Sequence, residues 1–240
     1  MSGRTADYRK VNFEYWQSEY ETTYPDTTLV KLYHHILKSK LKPPQGKKML
    51  DYGCSNGTNT SFFRDLGFEI FGADINHIAI EKAQRVAALW GGQDHFVSID
   101  MIKSPTDDLF FDGNFDLIVS WYTLYYLSDT DLDTCVHSLY HYLRPGGYFV
   151  ASMVGSQTGN YEISRPANAG MHVLPVIKRL KDLHGTEHFV NFTESYEDLI
   201  EKFGIFTVQY VGYIDEAFDV TEESKNNLFH YIFVGQKDSN

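Results

Sequence analysis

Cysteine is nearly absent from this sequence of 240 residues, which contains only Cys54 and Cys135. Two thiols without a paired spacing do not form a disulfide framework or a cysteine-based metal site, so we expect both to be reduced. His137 and His141 lie four residues apart on one face of a predicted helix, but no acidic or thiol third ligand has a matching spacing. The sequence therefore predicts no metal site.

Positive charge and long apolar runs are scarce as well. The chain carries 21 Lys and Arg residues against 32 Asp and Glu residues, a net charge of −11. A phosphate backbone would repel such a chain, and no basic cluster offsets the charge locally, so a nucleic-acid partner is not expected. The longest apolar stretch, residues 117–127, is far shorter than the roughly 20 residues of a membrane-spanning helix. The first residues are charged and lack the apolar core of a leader peptide, so we expect a cytoplasmic protein without a membrane partner.

The most informative stretch is MLDYGCSNGTNTSFF, residues 49–63. A short apolar run that ends in Asp51 leads into a loop with Gly53, Ser55 and Gly57, and then into residues that can start a helix. Glycine is favoured in such a tight turn because positive φ angles and close backbone approach are cheap only without a Cβ. Amides at the start of the following helix can hold a carboxylate or phosphate, so the loop predicts a site for a small polar ligand.

The surrounding residues narrow the choice of ligand. A second predicted strand, residues 68–73, ends at Asp74, which lies 23 residues (74 − 51) after Asp51. This is near the spacing of about 20 at which a carboxylate meets ribose hydroxyls. The third glycine of the dinucleotide motif G-x-G-x-x-G is missing, which disfavours NAD. Asp51 would repel a pyrophosphate but attract a cationic amino group, and S-adenosylmethionine (SAM) combines an amino group, a carboxylate and a ribose.

An ordered set of five segments resembles class I SAM-dependent methyltransferases. The first, residues 50–57, resembles the family's acid followed by three alternating glycines, with a serine in place of the middle glycine. The others are residues 72–75 at the second strand, 98–101 after the third, 115–120 as the fourth, and 143–148 at the turn into the fifth. Together they cover roughly residues 45–155, and the ordered set is far more specific than any one member.

This resemblance implies an α/β fold with a Rossmann-like, doubly wound sheet of seven strands, mostly parallel, with an antiparallel last strand. One domain, residues 1–240, is the default for a chain of this length with 42% hydrophobic residues. Its expected parts are an N-terminal helical cap (1–44), a SAM-binding core (45–155), a substrate-side insertion (155–204) and a terminal strand pair (205–240).

The loop and the resemblance together give a set of predicted SAM contacts. A ring-rich helix over residues 12–21 would fold over the cofactor mouth or simply cap the core, and both interpretations remain open. The resemblance places the adenine beside Asp100, which would accept a hydrogen bond from its amine, and Met101, which would pack on the ring. The complete predicted set is Trp16, Tyr20, Asp51, Gly53, Cys54, Ser55, Gly57, Asp74, Ile75, Asp100, Met101, Ser120 and Trp121.

Tyrosines follow the predicted fourth strand in the segment SWYTLYYL. In an open α/β sheet the ligand crevice lies beyond the carboxyl ends of the strands, so this segment should border the transferring methyl group. Rings attract a sulfonium by cation–π contact, and their hydroxyls can orient a nucleophile. We predict in-line transfer to an oxygen or nitrogen atom of a small-molecule acceptor, with Tyr122, Tyr126 and His172 receiving or orienting the proton. His184 and His188 are further candidates for this role.

Two alternatives belong to other classes of protein. Residues 53–57 also match G-x-S-x-G, the nucleophile turn of α/β-hydrolases, in which Ser55 would be the nucleophile. No preceding strands supply the hydrolase sheet, and Asp74 and Asp100 would then have no role. The second alternative is a SAM-binding sensor or scaffold without catalysis, because fold and cofactor site alone do not establish chemistry. No coiled-coil or repeat pattern indicates the oligomeric state.

Overall fold

The structure is a computed structural model that describes residues 24–89, 94–99, 112–175, 188–221 and 224–239. Five parallel strands form the first part of its central sheet: β1 (Lys48–Tyr52), β2 (Glu69–Asp74), β3 (His95–Ser98), β4 (Phe115–Ser120) and β5 (Leu143–Val154). Their order is β3-β2-β1-β4-β5. From β1 the chain adds β2 and β3 toward one edge of the sheet, and from β4 it adds β5 on the opposite side. A sheet wound in this way has its ligand crevice beyond the carboxyl ends of the two strands where the direction changes, here β1 and β4.

Two long strands complete the sheet. A three-stranded sheet of β6 (Arg165–Pro166), β7 (His172–Leu174) and β8 (His188–Val190) precedes them in the chain. Then β9 (Thr207–Thr221) forms the outer edge of the central sheet, and β10 (Ser224–Gln236) lies antiparallel between β5 and β9. This seven-stranded sheet confirms the predicted Rossmann-like fold.

Helices cover both faces of the central sheet. They are α1 (Thr27–Leu32), which continues into a π-helical turn (Tyr33–Leu37), α2 (Thr58–Leu66), α3 (His77–Leu89), α4 (Asp129–Tyr142), the short α5 (Gly159–Ile163) and α6 (Tyr196–Lys202). All six residues of β4 are buried, as expected for a parallel strand that is covered on both faces. In the described ranges, no helix combines the length and apolarity that a membrane crossing requires.

The two faces have separate apolar cores because successive side chains of a strand point in opposite directions. Met49 packs with Tyr33 and Phe63 in the core beneath α1, α2 and α3. Its neighbour Leu50 belongs to the other core, which includes Phe149 and the residues of α4 and α6. A residue at the crevice therefore packs against different side chains on the α1–α3 face and on the α4–α6 face of the sheet.

The three-stranded sheet, which falls in the predicted insertion, is joined to the segment after β4. That segment forms a 3-10 turn at Leu124–Tyr126. The backbone amide of Asn191, just after β8, donates a 2.7 Å hydrogen bond to the Tyr125 carbonyl. Its side-chain amide donates to the Leu127 carbonyl at 3.2 Å and to Asp129 Oδ1 at 2.8 Å. Three hydrogen bonds from one residue thus fix the insertion beside the crevice.

Candidate active site

The loop between β1 and α2 has the backbone geometry predicted from its glycines. Gly53 and Gly57 have φ angles of 83° and 78°, in the left-handed region that favours glycine. A Cβ on Gly53 would overlap the side chain of Thr123, which comes from the segment after β4. Glycine is required at position 53 for two reasons, its φ angle and the close approach of a neighbouring segment.

Ser55 replaces the middle glycine of the motif and still adopts a left-handed φ of 48°. This conformation costs a residue with a Cβ about 1 kcal/mol. The Ser55 amide donates a 2.8 Å hydrogen bond to Oδ2 of Asp74 at the end of β2, which offsets the cost. The loop therefore follows a glycine-like path even though its central residue is a serine.

Asp51 is a buried carboxylate at the carboxyl end of β1. Its side chain is 1% exposed, and Oδ2 has no hydrogen-bond partner among the described residues. Burial, and then the nearby charge of Asp74, raise the pKa of Asp51 from 3.8 to about 7. A buried carboxylate without a partner is costly, and a cation supplied by a ligand would remove that cost.

Asp74 lies at the end of the neighbouring strand and is held from both sides. Oδ2 accepts from Ser55, and Oδ1 accepts from the Asn76 amide at 2.8 Å. Burial raises the pKa of Asp74, and these backbone hydrogen bonds oppose the shift. Asn76 caps α3 through hydrogen bonds from the Ile78 and Ala79 amides. The partly buried Ile75 lies between them.

Cys54 fills a small space between the loop and β2. Its side chain is buried, and a Cβ added to Gly72 would lie 2.9 Å from its Sγ. Burial raises the pKa of the Cys54 thiol well above its usual range, so the side chain is a neutral, compact group. The structure has Cys54 as a free cysteine.

Ser120 and Trp121 lie at the end of β4, and both are buried. The Ser120 hydroxyl donates a 3.0 Å hydrogen bond to the Tyr52 carbonyl and so ties β4 to β1. The indole Nε1 of Trp121 has no hydrogen-bond partner among the described residues. Ser120 is thus engaged with the backbone, whereas Trp121 retains a donor for a ligand.

Tyr122 has a strained backbone at the crevice. Its φ of 57° is rare for a bulky residue, and its amide donates a 2.8 Å hydrogen bond to Ser152 Oγ on β5. Strain of this kind persists only where neighbours hold it, and it often marks a functional site. Burial, and then the charge of Asp26, raise the pKa of the Tyr122 hydroxyl, which also hydrogen-bonds to Asp26. The hydroxyl is therefore a neutral phenol.

A cluster of rings surrounds Tyr122, and we call it the crevice cluster: Tyr122, Tyr125, Tyr126, His188 and His230. The ring centroids of Tyr125 and Tyr126 are 4.4 Å apart, and those of Tyr126 and His188 are 6.4 Å apart. His230 lies 4.6 Å from Tyr122 and 5.8 Å from Tyr125. Ring contacts through His230 and Tyr125 thus connect Tyr122 to Tyr126, the two tyrosines predicted to orient the acceptor.

His230 is the residue that the sequence reasoning missed. It lies on β10 opposite Val154, the last residue of β5, and is only 7% exposed. Burial lowers its pKa from 6.5 to about 4, so the imidazole is neutral near pH 7. The one available signal was a histidine within the apolar run LFHYIFV, but only the pairing of β10 with β5 brings it to the crevice.

His172, predicted as a proton acceptor, lies in a different environment from Tyr122 and Tyr126. Its Nδ1 is 2.9 Å from Ser164 Oγ, and its ring lies 5.1 Å from Tyr161 and 5.3 Å from Phe192. These contacts are all within the insertion. Trp16, Tyr20, Asp100, Met101 and His184 are outside the described residues.

The fold and the loop define a Rossmann-like α/β protein with a ligand loop after its first strand. A family model described as a methyltransferase domain matches residues 24–207. The chain belongs to this methyltransferase-domain family.

Two curated relatives match about half of the chain. A malonyl-[acyl-carrier protein] O-methyltransferase from Pseudescherichia vulneris is 30% identical over 112 residues, which are 47% of this chain and 41% of the relative. A ubiquinone biosynthesis O-methyltransferase from Chelativorans sp. is 34% identical over 114 residues, which are 47% of this chain and 42% of the relative. The matched segment thus spans about two fifths of the length of these relatives.

Solved structures share the fold at low sequence identity. A SAM-dependent methyltransferase from Methanosarcina mazei has a TM-score of 0.68 and 18% identity, covering 85% of this chain and 98% of the other. Magnesium protoporphyrin IX methyltransferase from Synechocystis, crystallised with bound SAH, has a TM-score of 0.64 and 15% identity, covering 95% of this chain and 94% of the other. These likenesses establish the architecture of the sheet and its helices.

Proposed function

We propose that the protein is a SAM-dependent methyltransferase that transfers a methyl group in line to an oxygen or nitrogen atom of a small-molecule acceptor. The observation that carries the proposal is the buried Asp51 carboxylate, which lacks a partner for Oδ2 among the described residues and lies beside a left-handed glycine loop. Membership in the methyltransferase-domain family supports it and argues against Ser55 as a hydrolytic nucleophile.

The residues present fit SAM. Asp51 would receive its cationic amino group, and the loop of residues 53–57 would lie against the amino-acid part of SAM. Asp74 would accept from the ribose hydroxyls, a role for which its position at the end of β2 is suited. When bound, SAM supplies a methyl group on a positively charged sulfur and leaves as SAH. The other predicted contacts, Trp16, Tyr20, Cys54, Ile75, Asp100, Met101, Ser120 and Trp121, are part of the same proposal.

The chain's contribution to the reaction is mainly alignment of the acceptor. Tyr122 and Tyr126 would orient it, because their rings lie in the crevice cluster after β4 and the Tyr122 hydroxyl is held by Asp26. His172 remains a proposed proton acceptor. A methyl acceptor that extends into the insertion would reach it. The net charge of −11 favours a small acceptor over nucleic acid or an anionic membrane. We also propose a cytoplasmic location, with which the unpaired Cys54 and Cys135 are consistent.

Calorimetric titration with SAM and SAH tests the proposal, on the wild type, on Asp51→Asn and on the exposed control Glu201→Gln. We expect micromolar binding by the wild type and the control, and at least a tenfold loss in Asp51→Asn, since a charged hydrogen bond contributes roughly 1.5–3 kcal/mol. A folded wild type that binds neither compound contradicts the proposal. Tight binding without turnover of any acceptor would instead favour the sensor or scaffold alternative.

A further inference from the structure

Negative charge surrounds the Tyr122 hydroxyl. Asp26, the N-cap of α1, hydrogen-bonds to this hydroxyl, and Glu216 on β9 lies close enough to raise its pKa. Among the described residues, the groups of full charge that act on the hydroxyl are these two carboxylates. An anionic acceptor would be repelled here, whereas a cation would be attracted.

The sheet register places Glu216 on the same face as His230. On β9 and β10, Glu216 pairs with Leu228 and Ile214 pairs with His230. Cross-strand partners, and residues two apart on one strand, share a face. Ile214 packs against the α1–α3 core, so this is also the side on which α1 begins at Asp26. The two carboxylates and the imidazole therefore converge on Tyr122 from three different elements.

His230 provides an independent sign of a ligand. Its side chain is more than nine-tenths buried and faces the Tyr122 ring, yet no described residue hydrogen-bonds to it. Because the imidazole is neutral, one of its ring nitrogens can accept a hydrogen bond from a ligand N–H.

We infer that the methyl acceptor is a small amine, which binds as its ammonium cation between Asp26 and Glu216 and donates an N–H to His230. The inference rests on the proposed methyltransferase function and narrows the acceptor atom from oxygen or nitrogen to nitrogen. The faces of Tyr122 and Tyr125 add cation–π attraction for the same charge. His230 is a binding residue that fixes the direction of the nitrogen lone pair.

The chemical step balances without another reactant. The bound ammonium first loses one proton to solvent water, which frees the nitrogen lone pair. A nitrogen–carbon bond then forms as the methyl–sulfur bond breaks, and the electron pair of that bond stays on sulfur. The products are a methylammonium cation and SAH, and the carboxylates of Asp26 and Glu216 match the charge of both the substrate and the product.

The first test compares matched acceptors. SAH formation is measured with benzylamine, benzyl alcohol and benzoate, and with butylamine, butanol and butyrate, on protein whose SAM binding has been verified by calorimetry. We expect turnover of the amines only. Methylation of an alcohol or a carboxylate, or no methylation of either amine, overturns the amine assignment and leaves the cofactor site intact. A failure to bind SAM would instead refute the proposed function itself.

The second test uses three variants and a control with the amine that is turned over. Asp26→Asn keeps the helix cap, because asparagine caps as well as aspartate, and Glu216→Gln keeps the side-chain shape. We expect each to raise the KM for the amine about tenfold, since a charged hydrogen bond contributes roughly 1.5–3 kcal/mol, with a smaller change in kcat and none in SAM affinity. His230→Phe should raise KM as well, and Glu201→Gln should change neither constant. An unchanged KM in both carboxylate variants overturns the inference.

Discussion

Replacing Asp51 with asparagine removes a charge that the folded protein holds at a cost. The carboxylate is 1% exposed, and burial together with Asp74 raises its pKa from 3.8 to about 7. Between these two pH values the folded protein binds a proton that the unfolded chain has released. The free energy of unfolding therefore falls as the pH rises through this window.

The size of the effect follows from the pKa difference. Each pH unit within the window changes the free energy of unfolding by about 1.4 kcal/mol. From pH 5 to pH 8 the wild type should lose about 3 kcal/mol relative to Asp51→Asn, because the asparagine cannot ionise and the effect levels off above the folded-state pKa. Most of this loss falls between pH 5 and pH 7.

Urea unfolding of the ligand-free wild type and Asp51→Asn at several values between pH 5 and pH 8 measures this difference. Saturating SAM should then stabilise the wild type more than the variant at pH 8, and SAM affinity should fall below pH 7 as Asp51 takes up its proton. Parallel stability curves for the two proteins would refute the reasoning. That result would mean that the Asp51 carboxylate has a compensating partner in the ligand-free protein.

Three further predictions concern the loop and the insertion. Gly53→Ala should lose several kcal/mol of stability and its SAM binding, whereas Gly46→Ala, with φ 77° and open space around it, should lose only about 1 kcal/mol in the same unfolding assay. Ser55→Gly should retain SAM binding and turnover with a stability change of less than about 1 kcal/mol, and abolished activity would instead point to a nucleophilic serine. His172→Ala should lower the free energy of unfolding by about 1 kcal/mol through its contact with Ser164. Undiminished turnover of this variant at every pH would remove His172 from the reaction.

Local patterns in the sequence were sufficient to predict the first strand, the loop and the second strand. Apolar runs that end in Asp51 and Asp74 mark two adjacent strand ends, and glycines mark the turn between them. The φ of Ser55 could not be read from its residue type, because the hydrogen bond that holds its amide is accepted by Asp74 on β2.

Features that depend on distant pairing were not predictable in the same way. The strands β6, β7 and β8 contain two or three residues each, too few for an alternating pattern to be recognised. His230 becomes a neighbour of Tyr122 only through the pairing of β10 with β5. The loop and strand ends of the candidate cofactor site at residues 51–75 are thus encoded in one continuous segment, whereas the candidate acceptor site is assembled from several.

The position of β10 inside the sheet has a practical consequence for engineering. The proposed cofactor contacts Asp51 and Asp74 lie at the ends of β1 and β2, whereas Glu216 and His230 belong to a hairpin near the end of the chain. A library randomised on one face of this hairpin could change which acceptor is preferred while Asp51 and the glycine loop stay untouched. The alternation of side chains along a strand shows which positions to leave alone: Phe229 and Tyr231 face the other core, and their replacement would sacrifice stability without reaching the crevice.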